Sequence, residues 1–226
     1  MIRDNILEVK RRIEAACLRV KRQPSGVKLI VVSKNRSIEE IEEASLAGIT
    51  DFGENRVQEA LSKYKAKLSI RWHMIGHLQT NKAREAVRIF DVIHSVDSLR
   101  LAEEIDKRAA KINKIQDILI EIKTSPEATK FGLEFKQAAG VIKEIANFKN
   151  INAQGLMTVA PLVDNPEKAR PYFRSLNELR NEINRLPVIK QPLSVLSMGM
   201  TDDFEIAIEE GSGMVRVGRA IFEGGL

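Results

Sequence analysis

Short apolar runs alternate with longer stretches of helical periodicity along almost the whole chain. The runs are rich in β-branched residues and bounded by polar or glycine-containing segments, which is typical of buried parallel strands. The predicted strands are 28–33, 49–53, 70–75, 90–94, 117–122, 151–157, 193–197 and 214–217. The predicted helices are 2–22, 37–47, 55–67, 79–87, 97–111, 135–147, 165–184 and 202–210.

The repeated alternation of strand and helix requires parallel strands with crossover connections. Eight strands after a first helix predict an α/β fold, a closed (β/α)8 TIM barrel with an extra N-terminal helix. A doubly wound open sheet is the alternative, because a count that differs by one strand would leave the sheet open. The chain carries no linker, low-complexity tract or close internal repeat, so we expect residues 1–226 to form one domain.

Local signals agree with several of these helix boundaries. Ser37 is followed three residues later by Glu40, which is the pattern of a capping box. Gly48 fits the end of the same helix. Asp97 is the predicted N-cap of the helix 97–111. Asn165 precedes a proline at the first turn of the helix 165–184.

The composition of the 226 residues is that of a globular protein, with 43% hydrophobic and 30% charged residues. Cys17 is the only cysteine, which excludes an internal disulfide and fits a reducing compartment. No N-terminal stretch resembles a signal peptide and no apolar run is long enough to span a membrane. We therefore expect a cytoplasmic protein.

The net charge is +5, from 36 basic and 31 acidic residues that are spread along the chain. The densest basic stretch lies in the predicted helix 2–22, where the charges fit the solvated face of an amphipathic helix. An RNA-binding module is a weaker alternative, because aromatic residues are few and no nucleic-acid-binding motif occurs. A mildly positive protein attracts small phosphorylated anions.

Active sites of such barrels lie at the carboxyl ends of the strands, so the residues after each apolar run are the candidates. Lys34 follows the first strand. A lysine that loses its hydration there has a lowered pKa, and its neutral amine forms a Schiff base with an aldehyde. A lysine whose amine reaches water from the strand end is the alternative interpretation.

Glycine-containing loops follow the seventh and eighth strands, at Gly199 and Gly218. Phosphate sites of barrels occupy this position, because small residues let backbone N–H groups and a helix N-terminus approach an anion. Ser197 or Thr201 would add a hydroxyl group, and Gly218 and Arg219 would add backbone amides. Tight turns without a ligand are the alternative. Together with the strand-end lysine, the loops indicate a phosphorylated aldehyde held at both ends.

Two other constellations fit site chemistry less well. His73 and His77 have the i, i+4 spacing of a helical metal pair, but His73 lies on a predicted strand. No nearby carboxylate or cysteine completes a ligand set, so we expect no metal. Lys130 is a second Schiff-base candidate, but its distance from the fifth strand and the neighbouring Phe131 and Gly132 indicate a mobile loop.

Six segments, in order along nearly the whole chain, carry a family resemblance. They are VSK (32–34), FGENRVQE (52–59), WHMIGHLQTNK (72–82), HSVD (94–97), LSMGMTDDF (196–204) and VRVG (215–218). With these segments the chain resembles the pyridoxal phosphate homeostasis protein family, which is similar to the N-terminal barrel of alanine racemase and to other fold type III pyridoxal phosphate proteins.

The resemblance implies that pyridoxal 5′-phosphate (PLP) is the cofactor and that it is held in Schiff-base linkage to Lys34. It also implies that Arg216 faces the pyridine nitrogen. The remaining implied contacts are Asn55 beside the ring, Ser197 on the phosphate, and the backbone amides of Gly218 and Arg219 on the phosphate.

An arginine opposite the pyridine nitrogen disfavours protonation of that nitrogen, so the ring withdraws electrons less strongly and carbanion chemistry is harder. The racemases also take a second base from a C-terminal β-domain, whereas this chain ends at Leu226, soon after the eighth strand. We therefore expect a monomeric, non-catalytic carrier that holds, buffers and delivers PLP, with apo-enzymes as partners and no nucleic acid or membrane. An amino-acid racemase-like enzyme and an aldolase-type barrel that uses Lys34 on a sugar phosphate are the alternatives.

Two segments depart from the family pattern. Residues 124–127 read Thr-Ser-Pro-Glu, where many members have a glycine. Glu223 stands between Phe222 and Gly224, where the family usually continues directly to glycine. We expect the first departure to alter access to the site and the second to affect only the tail.

Overall fold

Eight parallel strands close into a barrel in which the strand order follows the chain. The computed structural model describes residues 1–66, 68–125, 127, 130–187 and 191–224. The strands are β1 (Lys28–Val32), β2 (Asp51–Glu54), β3 (Arg71–Met74), β4 (Val92–Val96), β5 (Gln116–Glu121), β6 (Ile151–Met157), β7 (Val195–Ser197) and β8 (Met214–Val217). Because β8 pairs with β1, the predicted TIM barrel is confirmed and the open-sheet alternative is wrong.

The helices surround the barrel and connect its strands. They are α1 (Ile2–Arg19), α2 (Ile38–Leu46), α3 (Val57–Tyr64), α4 (Ala83–Ile89), α5 (Leu99–Ala110), α6 (Phe135–Ile145), α7 (Arg170–Asn184), α8 (Phe204–Glu209) and α9 (Arg219–Phe222). Short 3-10 turns occur at Pro24–Gly26, Thr80–Lys82 and Pro166–Ala169. The extra N-terminal helix α1 packs chiefly on α8 and α9, so it closes the junction between the first and last units of the barrel.

Three strands, β2, β4 and β7, begin two residues later than their apolar runs predict. Ile49, Phe90 and Leu193 start those runs, yet all three precede the strand and are buried in the helix–strand connections. Burial outside the sheet therefore extends each run beyond the hydrogen-bonded ladder. As a result β2 is Asp51–Glu54 rather than 49–53, and β4 is Val92–Val96 rather than 90–94.

The helix caps agree with the sequence in three of four cases, since Asn165 also caps the turn that begins at Pro166 and accepts from the Glu167 amide. The Ser37 hydroxyl accepts a hydrogen bond from the Glu40 amide, and the Glu40 carboxylate accepts one from the Ser37 amide, which confirms the capping box. Gly48 ends the α2 unit with a φ of 85°. The prediction for Asp97 is wrong, because the hydroxyl of Ser98 caps α5 and accepts from the Leu101 amide at 3.3 Å.

The core has two layers. A large apolar cluster fills the space between the strands and the surrounding helices. A much smaller apolar cluster lies inside the barrel, formed by Ile30, Val92, Leu119, Met157 and Met214. The barrel interior also contains polar side chains that are fully buried, so part of its stability depends on hydrogen bonds rather than on apolar packing alone.

All the described strands belong to this one barrel. The prediction of a single domain over 1–226 includes residues outside the described part, and it stays a prediction. No helix in the described part of the chain is both long enough and apolar enough to cross a bilayer.

Candidate binding site at the carboxyl end of the barrel

A cavity of about 360 Å³ opens where the carboxyl ends of the strands meet. Three predicted site residues line it: Lys34 after β1, Asn55 after β2 and Arg216 on β8. The rest of the described wall consists of Val32, Ile75, Gly76, His77, Glu121, Ile122, Lys123, Thr124, Lys130, Phe131, Val159 and Met200. The wall therefore combines several cations with an apolar surface, which suits a small anionic ligand.

Lys34 lies two residues beyond β1, in a turn, and its side chain is exposed. The desolvation expected for a buried strand end is therefore not observed, and the geometry matches the alternative in which the amine reaches water. The preceding residue, Ser33, is completely buried. The turn is thus fixed from below while the amine of Lys34 is free to reach a ligand in the cavity.

A buried lysine holds this turn in place. The Nζ of Lys63 donates to the Ser33 carbonyl oxygen at 2.6 Å and to carboxylate oxygens of Glu54 and Glu59 at 2.7 Å each. Glu59 also accepts from the backbone amide of Asn35, which has a positive φ of 59°. These contacts anchor both residues that flank Lys34, so they fix where its side chain starts.

The carboxylate of Glu54 is completely buried within this network. It accepts from the Ser33 hydroxyl at 2.6 Å and from Lys63, yet its second oxygen has no partner within the described residues. Burial raises the pKa of Glu54, although Lys63 and Ser33 oppose that rise. Loss of the lysine would leave a buried carboxylate uncompensated.

Arg216 is buried beneath the cavity and held by two hydrogen bonds. Its Nη1 donates to the Ser197 hydroxyl at 2.7 Å and its Nη2 to the Thr158 carbonyl oxygen at 2.8 Å. Burial lowers the pKa of Arg216 to about 10, against the opposing charges of Asp203 and Glu121. The group therefore stays cationic at neutral pH and presents a fixed positive charge to the cavity floor.

Ser197, Gly218 and Arg219 do not contribute to the described cavity wall. Ser197 is completely buried below Arg216. Gly218 links β8 to α9, and a Cβ there would come within 3.1 Å of the Val32 carbonyl oxygen, so the close approach of β1 favours glycine. The side chain of Arg219 is exposed and pairs with Asp202. The phosphate contacts implied for these residues stay predictions.

Glu121 is a wall residue that sequence reasoning missed. Its side chain is only 7% exposed, and its Oε2 has no hydrogen-bond partner in the described part of the chain. Burial, followed by the negative charge of Asp97, raises the pKa of Glu121 to about 7. The signal in the sequence is a lone acidic residue near the end of the apolar β5 run, two positions after inward-facing Leu119.

After β5 the chain returns to the cavity at residues 130–133, and the mobility predicted for the loop of Lys130 stays a prediction. Leu133 bonds back to the end of β5 through the Glu121 carbonyl oxygen and the Lys123 amide. Gly132 permits this return, since its φ is +119° and a Cβ would lie 2.7 Å from the Lys123 nitrogen. Lys130 thereby lines the cavity and donates to the Ala160 carbonyl oxygen at 2.8 Å.

The same loop places an aromatic ring against a histidine. The rings of Phe131 and His77 stack with centroids 3.7 Å apart, and His77 Nδ1 lies 3.1 Å from an oxygen of Asp97. His73 points elsewhere, into the barrel, so the two histidines of the i, i+4 pair do not meet. Of the 124–127 departure from the family pattern, Thr124 lines the cavity, and Pro126 lies outside the described residues.

The chain has a closed barrel that brings a lysine after the first strand and an arginine on the eighth strand to one cavity. It belongs to the class of barrels defined by the alanine racemase N-terminal domain, whose family model matches residues 2–224. The chain also has the fold of alanine racemase from Clostridium difficile 630, with a TM-score of 0.75 and 13% identity over 98% of this chain and 56% of that one. At that identity the likeness concerns the fold alone.

Closer relatives place the chain within that class. It is 44% identical to the pyridoxal phosphate homeostasis protein of Aquifex aeolicus (strain VF5), over 97% of this chain and 96% of that protein. It is 34% identical to PipY of Synechococcus elongatus PCC7942, solved with PLP bound, at a TM-score of 0.86 over 98% of this chain and all of that one. The chain belongs to the pyridoxal phosphate homeostasis protein family.

Proposed function

We propose that this protein binds PLP as a Schiff base on Lys34 and acts as an intracellular holder of the cofactor, which it buffers and delivers. The observation that carries the proposal is the meeting of Lys34 and Arg216 on one cavity wall. Support comes from the structure of PipY, which was solved with PLP bound.

The residues present fit this ligand. The cavity of about 360 Å³ falls within the range of small-molecule sites, roughly 300–1,000 Å³. Four cationic side chains line it, namely Lys34, Lys123, Lys130 and Arg216, which suits an aldehyde that carries a phosphate. The unpartnered oxygen of Glu121 also needs a polar ligand group or water at this wall.

PLP supplies an aldehyde that condenses with a primary amine and releases one water molecule. On the protein side, Lys34 provides the amine from a turn that Lys63 anchors. Arg216 presents a guanidinium that already donates to Ser197 and Thr158 and is therefore fixed in orientation. Asn55 adds a half-buried amide at the same wall.

The fixed guanidinium supports a carrier rather than a catalyst. A cation opposite the pyridine nitrogen disfavours a proton on that nitrogen, which weakens the ring as an electron sink. Slow exchange of amino-acid α-protons is therefore the expected outcome in deuterated water. Turnover of L-alanine or another amino acid at enzymatic rates would instead establish a racemase-like enzyme.

The biological setting is part of the same proposal. We propose a cytoplasmic, monomeric, single-domain protein whose partners are apo-enzymes that require PLP. Neither nucleic acid nor membrane takes part. Transfer of PLP from the loaded protein to an apo-enzyme, followed by recovery of that enzyme's activity, measures delivery.

The deciding experiment is the absorption spectrum of the purified protein with added PLP, before and after borohydride reduction. We expect a near-visible band, and we expect reduction to fix the ligand on the peptide that contains Lys34. Lys34→Ala should lose the band. Lys130→Ala is the matched control, because Lys130 is a second amine on the same wall and is expected to leave the Lys34 adduct unchanged.

Mass spectrometry of the reduced protein separates the possible anchors. An adduct on Lys123 or Lys130 in place of Lys34 would overturn the assignment of the anchor. A protein that binds no PLP at all would overturn the assignment of PLP as the cofactor, and a sugar phosphate would then be the ligand to test next.

A further inference from the structure

A continuous chain of buried hydrogen bonds runs through the barrel interior and ends on Arg216. It begins at Asp51, the first residue of β2, whose Oδ1 lies 2.9 Å from Nε2 of His73. Nδ1 of His73 is 2.9 Å from Nε2 of His94, and Nδ1 of His94 is 3.0 Å from the Ser197 hydroxyl. The Arg216 guanidinium completes it at 2.7 Å. The chain crosses from the amino end of the barrel to the cavity floor.

The chemistry of the two ends fixes the direction of every link. A guanidinium only donates, so the Ser197 oxygen accepts from Arg216. The Asp51 carboxylate only accepts, so with both imidazoles neutral the remaining links run toward Asp51 and the Ser197 hydroxyl donates to Nδ1 of His94. His94 then carries its proton on Nε2, and donates to Nδ1 of His73. His73 in turn carries its proton on Nε2 and donates to the carboxylate of Asp51.

The electrostatics at the far end agree with this direction. Although burial alone would raise it, hydrogen bonds from His73 and Thr50 keep the pKa of Asp51 well below its usual range, so Asp51 is an acceptor. Burial lowers the pKa of His73 and of His94, so both rings are neutral and each has one donor and one acceptor nitrogen. Each nitrogen along the chain therefore has its partner.

We propose that Ser197, His94 and His73 are positioning residues that hold the Arg216 guanidinium in place under the ligand cavity, with Asp51 setting the direction of the chain. The proposal rests on the proposed function in so far as Arg216 contacts PLP. It assigns Ser197 a different role from the phosphate contact implied by the family resemblance. The hydroxyl hydrogen of Ser197 is already used by His94, and its oxygen already accepts from a cation.

Nitrogen-15 NMR of the ligand-free protein tests the direction of the chain without any cofactor. The sequence contains three histidines, His73, His77 and His94, so labelled imidazoles give a simple spectrum. We expect Nε2 of both His73 and His94 to be protonated and both Nδ1 atoms to be unprotonated at neutral pH. A proton on Nδ1 of His94, or an imidazolium signal from either ring, would overturn the proposal.

Ligand binding tests the positioning role. Ser197→Ala removes a hydrogen-bond acceptor of Arg216. We expect PLP and pyridoxal, which lacks the phosphate, both to bind about tenfold more weakly, which is the size of one lost charge-assisted hydrogen bond. A phosphate contact would weaken PLP alone. Weakening of PLP alone, or of neither ligand, would contradict the positioning role.

Lys28→Gln is the matched control at the far end. Lys28 pairs with the same oxygen of Asp51 at 3.2 Å but is not a link in the chain. We expect unchanged histidine protonation and unchanged affinity in this variant, and a loss equal to that of Ser197→Ala would count against the proposal. If the unsubstituted protein binds neither PLP nor pyridoxal, the proposed function fails. The NMR result still decides the direction of the hydrogen-bond chain in that case.

Discussion

Replacement of Glu121 by glutamine should stabilise the protein at alkaline pH and change little in mild acid. Glu121 is nearly buried, its Oε2 has no partner within the described residues, and burial raises its pKa from 4.5 to about 7. Because the folded state binds this proton more tightly than the unfolded state, the contribution of Glu121 to stability falls as the pH rises from 4.5 to about 7.

The size of the effect follows from the shift. A rise from 4.5 to about 7 corresponds to about 3 kcal/mol of penalty once the carboxyl group is fully ionised in the folded protein. At pH 5 most of that penalty is absent, because the folded protein keeps the group protonated. Glutamine has a similar shape and no charge at any pH, so the gain from Glu121→Gln should differ by about 2–3 kcal/mol between pH 5 and pH 8.

Urea denaturation of both proteins at several pH values between 5 and 8 measures this difference. All other titrating groups are common to the two proteins, so their effects cancel in the comparison. Glu103→Gln, an exposed change on α5, is the matched control and should give the same small effect at every pH. A gain from Glu121→Gln that does not vary with pH would refute the reasoning, since the carboxyl group would then titrate normally.

Two pairs of substitutions test packing in the barrel by denaturant midpoints. Lys63→Met should destabilise by about 3–5 kcal/mol, since two carboxylates lose their buried partner, whereas the exposed Lys65→Met should stay within about 0.5 kcal/mol. Gly155→Ala should abolish or severely weaken folding, because its Cβ would lie 1.8 Å from the Val195 carbonyl oxygen. Gly140→Ala, within α6 and with open space around the new methyl, should stabilise by about 0.5–1 kcal/mol. Equal effects in the two members of either pair would contradict these contacts.

The barrel and the position of its site follow from the pattern of apolar residues. Eight β-branched runs separated by helical periodicity leave few arrangements other than a closed parallel sheet. In a closed sheet the first and last strands are neighbours, and here Ile30 on β1 pairs with Arg216 on β8. The meeting of Lys34 and Arg216 at one cavity is thus a consequence of closure, which the strand count predicts.

The wall formed by the loop after β5 could not be predicted in the same way. Its placement depends on the return of Leu133 to the end of β5 and on the φ of Gly132. Neither feature leaves a periodic signal in the sequence, because one is a pair of hydrogen bonds between a loop and a strand end and the other is the backbone conformation of a single residue. The sequence consequently predicts Lys130 and Phe131 to lie in a loop away from the site, although they line the cavity.

The chain of hydrogen bonds from Asp51 to Arg216 could not be predicted, because the predicted bounds of the fourth strand lie two residues too early. With a fourth strand over 90–94, His94 is the last strand residue and belongs to the rim, where a ligand contact is expected. The observed strand, Val92–Val96, places His94 in its middle, completely buried. Since alternate residues of a strand face opposite sides, neither the depth nor the facing of a polar residue is known until the strand's register is known. The difference of two residues therefore separates a ligand contact at the cavity from a link to His73 and Ser197 inside the barrel.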